Sequence, residues 1–116
     1  MSYAYILKHT LSHTHSDSVN CLEFSSSGEF LASGSDDHSL IIWNVSTGQD
    51  LYHILFDSPV TALLWHPSRE QTNVCGCEDG TIVQMSRFTL VRTLNLPLFT
   101  FSIIIILAER FQSQAD

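Results

Sequence analysis

With 116 residues the chain has room for one domain at most. Its formal charge of −7, from 12 carboxylates against 5 lysines and arginines, excludes nucleic acid and anionic membrane as partners reached by bulk charge. Its 3 cysteines are an odd number without framework spacing, which excludes a disulfide scaffold.

The N-terminus, Met1–Lys8, carries no basic stretch followed by a long apolar run, so it does not read as a secretory signal. Together with free cysteines it implies a reducing compartment, cytoplasmic or nuclear. Tyr3–Lys8 reads as the outer strand of a preceding unit. Val19–Phe24 alternates, with Val19, Cys21 and Glu23 on one face and Asn20, Leu22 and Phe24 on the other. Phe30–Ser35 is rich in small residues, which suits close stacking of sheets. Leu40–Trp43 is continuously apolar, as expected of a strand covered on both faces. Val45–Gly48 reads as a turn and Asp50–Leu55 as an outer strand.

The same order then recurs as Val60–Trp65, Asn73–Cys77, Thr81–Met85 and Leu90–Leu94. Val19 matches Val60 and Phe24 matches Trp65 at an offset of 41; Asp37 matches Asp79 and Trp43 matches Met85 at an offset of 42. The one-residue slip falls between the first two strands, where Ser25–Gly28 faces the longer His66–Thr72. Turns absorb insertions cheaply, so the slip supports the alignment. A period of about 40–45 residues with four strand signals is that of a propeller blade.

The residues His15, Ser33-Gly-Ser-Asp-Asp37 and Trp43-Asn44 stand in an order and spacing that resembles the WD-repeat β-propeller family. The resemblance covers residues 3–94, with a first blade over 15–56 and a second over 57–94. It implies an all-β fold of four-stranded antiparallel blades, an incomplete propeller. It also implies that His15, Ser33, Asp37 and Trp43 form a hydrogen-bonded chain pinning the turn between the second and third strands. Buried carboxylates and indoles need such partners. His13 is a rival for the imidazole position; His15 keeps the family distance to Val19. Ser35 shares a strand face with Ser33, and Ser33 is preferred by position. Two residues depart from the pattern: Thr14 replaces the usual Gly and Asn44 the usual Asp. The second unit keeps Asp79 but has Phe56, Cys75 and Met85 at the other three places, so packing must hold it instead.

Residues 95–116 fall outside the repeat. Within them 96–108 are apolar, and as a helix these 13 residues would span about 20 Å, short of the ~30 Å hydrocarbon core. The four consecutive isoleucines favour a strand. A tail-anchored, membrane-associated protein using 96–108 is the alternative reading, which this length disfavours. A truncated product of a longer propeller is another. Phe99–Leu107, without charge or proline, is prone to aggregate.

No catalytic residues emerge. His13-Thr-His15 and Cys75-Gly-Cys77 each offer two metal ligands without a second pair at finger-like spacing, so no metal site and no cofactor is expected. Asp36-Asp37 and Glu78-Asp79 sit in turns, with no sign of two carboxylates facing one substrate cleft. Phosphate loops and nucleophile elbows are absent. The reading is a non-catalytic scaffold for proteins or peptides. It is a fragment or truncated form of a larger propeller, or a ring completed by self-association. By analogy with the family, Ser18, Asn20, Asp36, Pro59, Thr61 and Glu78 form the partner-binding rim.

Overall fold

The computed structural model describes residues 7–11, 14–69, 71–87 and 89–95. Among these residues all regular structure is β-strand: β1 Val19–Phe24, β2 Phe30–Ser35, β3 Ser39–Asn44, β4 Asp50–Leu55, β5 Val60–Trp65, β6 Thr72–Cys77, β7 Thr81–Ser86 and β8 Thr89–Asn95. They form two four-stranded sheets in the orders β1-β2-β3-β4 and β5-β6-β7-β8. Every neighbouring pair is antiparallel. Each of the eight strands expected over residues 19–94 is present, four of them with an added residue at one or both ends. Residues 3–6 of the expected preceding strand lie outside the described residues, and Leu7–Leu11 form no strand. His13 and the whole segment 96–108 also lie outside them. Among the described residues no helix is long and apolar enough to cross a membrane.

Local chemistry sets the turns. Gly28 has φ of 78°, a left-handed conformation that glycine adopts without steric cost. It closes the β1–β2 hairpin by donating its N–H to Ser25 O at 2.9 Å. In the longer β5–β6 loop, His66 Nδ1 accepts the backbone N–H groups of Ser68 at 3.1 Å and Arg69 at 2.9 Å. The one-residue slip of the repeat is therefore absorbed by a side chain that replaces backbone turn bonds.

One expectation about β1 is corrected. A bulge between Val19 and Cys21 sets Val19 opposite Ser35, while Leu22 faces Ser33 and Phe24 faces Leu31. The extra residue breaks strict alternation. Val19 therefore joins Leu22 and Phe24 rather than Cys21 and Glu23. The same bulge recurs between Val60 and Ala62, and it groups Val60 with Leu63 and Trp65.

The sheets meet through β1, β2 and β5. The core lies between them, with Ala32, Leu40 and Ile42 on one side and Val60, Leu63, Trp65, Cys75, Cys77, Val83 and Met85 on the other. Approach is close at Gly34, where a β-carbon would sit 2.5 Å from Val60 Cγ1 and 2.7 Å from Cys21 Sγ. Gly34→Ala is expected to push the sheets apart and destabilise the chain by about 1–3 kcal/mol, read as a lower denaturant midpoint.

Candidate functional site: a hydrogen-bonded blade network and its rim

The β2–β3 turn brings His15, Ser33, Asp37 and Trp43 together. Trp43 Nε1 donates to Ser33 Oγ at 2.8 Å. Ser33 Oγ lies 2.6 Å from His15 Nε2. His15 Nδ1 lies 3.0 Å from Asp37 Oδ2. An ionised carboxylate only accepts, so Nδ1 carries the proton and Nε2 accepts from the Ser33 hydroxyl. The His15 and Asp37 side chains are 8% and 7% exposed, so water offers them little substitute.

Asp37 is the hub. Its Oδ2 also accepts the Ser16 N–H at 2.9 Å, and its Oδ1 accepts the Ser39 N–H at 2.9 Å and the Ser39 hydroxyl. Burial alone would raise its pKa, but the Ser39 hydroxyl, the Ser16 N–H, His15 and the Ser39 N–H outweigh it. Together they hold the carboxyl well below the usual carboxylate range. Ser39 is a member that the sequence reading missed; a hydroxyl two residues after a turn aspartate was the available signal. Ser35 acts apart from the network. Its hydroxyl donates to Ser18 O at 2.8 Å and accepts the Asp37 N–H at 3.1 Å.

In the second sheet Asp79 Oδ1 accepts the Thr81 N–H at 2.9 Å, the Thr81 side chain also bonds the carboxylate, Ser58 Oγ accepts the Asp79 N–H at 3.1 Å, and Asp79 is exposed. Cys75 and Met85 are buried in the core, and Phe56 packs against it. Burial raises the Cys75 thiol pKa and pushes Cys77 up to about 11, with the neighbouring Asp79 charge adding to the latter. The thiolate that attacks electrophiles or binds metal is thereby disfavoured. Among the described residues no group of three or more His, Cys, Asp or Glu side chains is placed to hold a metal ion. Asn73 holds the place of Leu31 in the register, and it is fully buried. Among the described residues neither of its amide atoms has a hydrogen-bond partner. Asn73→Leu is expected to stabilise the chain by about 1–3 kcal/mol by removing that desolvated amide, seen as a raised denaturant midpoint.

Of the six residues expected at the rim, Ser18 and Pro59 immediately precede β1 and β5, Asn20 and Thr61 stand in those strands, and Asp36 and Glu78 lie in the β2–β3 and β6–β7 turns. Asp36 N–H donates to Ser18 O, and Glu78 N–H to Pro59 O, both at 2.9 Å, so one bond closes both blades in matching positions. Asn20 Nδ2 donates to Asp36 Oδ1 at 2.8 Å and to Val60 O at 3.1 Å, tying the first turn to the second sheet. Thr61 Oγ1 donates to Gly76 O at 3.4 Å. Ser18, Asn20, Thr61 and Glu78 are exposed; Asp36 and Pro59 are half-buried.

A family model described as WD domain, G-beta repeat matches residues 6–44. Over those residues the chain carries a WD repeat. The matched WD repeat contains the whole His15–Ser33–Asp37–Trp43 network. Similar proteins include ribosome biogenesis protein bop1-A of Xenopus laevis, 38% identical over 69 residues, covering 60% of this chain and 10% of that protein. The WD repeat-containing protein 26 homolog of Arabidopsis thaliana is 41% identical over 70 residues, covering 57% of this chain and 12% of its own length. Nucleoporin Nup37 of Mus musculus is 41% identical over 69 residues, covering 59% of this chain and 21% of its own. The chain thus spans only a small part of each relative's length.

Proposed function

We propose that the chain is a non-catalytic protein-interaction scaffold whose two blades belong to a larger ring. The ring is completed by further sequence or by other copies. The observation that carries this reading is a matched comparison inside the molecule. Val60, Leu63 and Trp65 are 0%, 8% and 4% exposed where the first blade covers them. Their counterparts Val19, Leu22 and Phe24 are 48%, 63% and 58% exposed. The same positions of the same repeat are covered in one blade and bare in the other. Propeller blades gain stability by stacking, and rings typically close with about 4–8 of them.

The partner-binding rim comprises Ser18, Asn20, Asp36, Pro59, Thr61 and Glu78. Their turns are fixed by backbone bonds while most of the side chains face solvent, which suits the grip of a peptide or protein. The carboxylates of Asp36 and Glu78 favour basic partners. Relatives named for ribosome biogenesis and as a nucleoporin support a nuclear setting within the cytoplasmic-or-nuclear expectation. Affinity capture with Asp36→Lys and Glu78→Lys, alone and together, tests the rim. The expected result is loss of the proteins that the unaltered chain captures; unchanged recovery removes the rim from the account.

A further inference from the structure

We propose that the cleft between the β5–β6 loop and the β7–β8 turn binds a phosphate monoester carried by a side chain of a protein partner. The cleft has a volume of about 380 Å³ and is lined by Arg69, Gln71, Thr72, Ser86 and Arg87. Two of the chain's 5 lysines and arginines stand there, in a molecule of charge −7. Among the described residues the ion pair is His15 with Asp37, at the other end of the first blade.

Backbone bonds frame the cleft. Arg87 N–H donates to Gln71 O at 3.0 Å, and Thr72 N–H to Arg69 O at 3.1 Å. Thr72 Oγ1 donates to Ser86 Oγ at 3.5 Å. Arg87 has φ of 53°, so it turns the chain between β7 and β8. Both arginines are thus rooted at the end of a paired sheet. Two planar guanidinium forks match a tetrahedral dianion, which offers three acceptor oxygens and a charge near −2.

Charge decides between sources of phosphate. The acidic turns at Asp36, Asp37, Glu78 and Asp79 lie at the opposite strand ends, whereas Glu23, whose carboxylate accepts the Trp65 N–H, and Glu29 and Asp50 stand at the same strand ends as the arginines. Six-residue strands put the four turn residues about 17–20 Å away, beyond twice the ~8 Å screening length. Those four turn carboxylates therefore oppose one small dianion little. An extended polyanion, whether a nucleic acid or an anionic bilayer, would face the whole −7 molecule. A phosphorylated side chain is the source that fits. This site uses the other end of the blade from the rim, and it stands if the rim contacts nothing.

The test is an NMR titration of the full chain, following the arginine Nε–H signals. The probes are N-acetyl-phosphoserine amide, its unphosphorylated form, inorganic phosphate, and vesicles containing phosphatidylinositol phosphates. Saturable shifts at Arg69 and Arg87 with the phosphoserine compound, absent with the unphosphorylated one, are expected. Arg69→Gln and Arg87→Asn should each weaken binding about tenfold, the latter because asparagine tolerates the left-handed turn. Arg69→Lys should restore part of it, since a point charge remains but the fork is lost. Glu70→Gln, which removes the nearest acidic residue in sequence, should tighten binding or leave it unchanged. Unchanged amide spectra confirm that each variant is folded. The proposal is overturned if no phosphate probe gives saturable shifts, or if binding survives both arginine substitutions. It is equally overturned if inorganic phosphate binds as tightly as phosphoserine, or if the vesicles bind more tightly than either.

Discussion

Replacing Asp37 with alanine is expected to lower stability by about 3–5 kcal/mol, the range for breaking a buried charge from its partners. The carboxylate takes hydrogen bonds from His15, the Ser16 N–H, and both the N–H and the hydroxyl of Ser39. Its removal orphans donors that lie behind the β2–β3 turn, and each orphan carries its own desolvation cost. Asp79→Ala at the matching position should have a much smaller effect, because that carboxylate is exposed and closes only its own turn. The two variants share a sequence position within the repeat, so their difference isolates the network. Equilibrium denaturation checks it. The sign of the pH dependence follows from the lowered pKa of Asp37. The stabilisation is fully present above the unfolded carboxyl value, about 3.9, and is lost as pH falls below it. Asp37→Asn should therefore be less stable than the unaltered chain at pH 6, and the gap should narrow on acidification below about pH 4.

Trp65→Ala should cost about 3–5 kcal/mol, the usual range for emptying a buried tryptophan site. The indole is 4% exposed and stacks on Phe30 with ring centroids 6.4 Å apart and planes at 15°. Its Nε1 donates to Glu23 O at 2.8 Å, and its backbone N–H to Glu23 Oε1 at 3.3 Å. Burial raises the Glu23 carboxyl pKa, while the bond from the Trp65 backbone works the other way. The indole therefore joins the sheets by packing and by a bond to the main chain of β1. Phe24→Ala, at the matching place in the first blade, should change stability little, since that ring is 58% exposed. Denaturation midpoints for the pair measure what one docked blade contributes.

The parts of this fold that repeat were readable from the chain. The offsets of 41 and 42 residues set the blade period, and the slip between them located the longer β5–β6 loop. His15, Ser33, Asp37 and Trp43 could be named because each stands at a fixed distance from a turn. What escaped was local geometry that no period records. The β1 bulge moved Val19 across the sheet, and strict alternation cannot anticipate an inserted residue. Ser39 escaped because its contribution depends on where the Asp37 carboxylate points. The indole bond from Trp65 to Glu23 O depends on how two sheets stack, which neither sheet's sequence encodes alone. The Arg69–Arg87 cleft joins two turns that are far apart along the repeat, and only the pairing of β6 with β7 unites them.

The central claim is that the Val19–Leu22–Phe24 face is built to be covered by another blade. Sedimentation equilibrium over the micromolar range, on the unaltered chain and on a Leu22→Asp, Phe24→Asp double variant, tests it most directly. The account predicts that the unaltered chain associates with rising concentration and that the folded double variant sediments as a 13.0 kDa monomer. A well-folded, monomeric unaltered chain at every concentration, or association undiminished by the two aspartates, would contradict it.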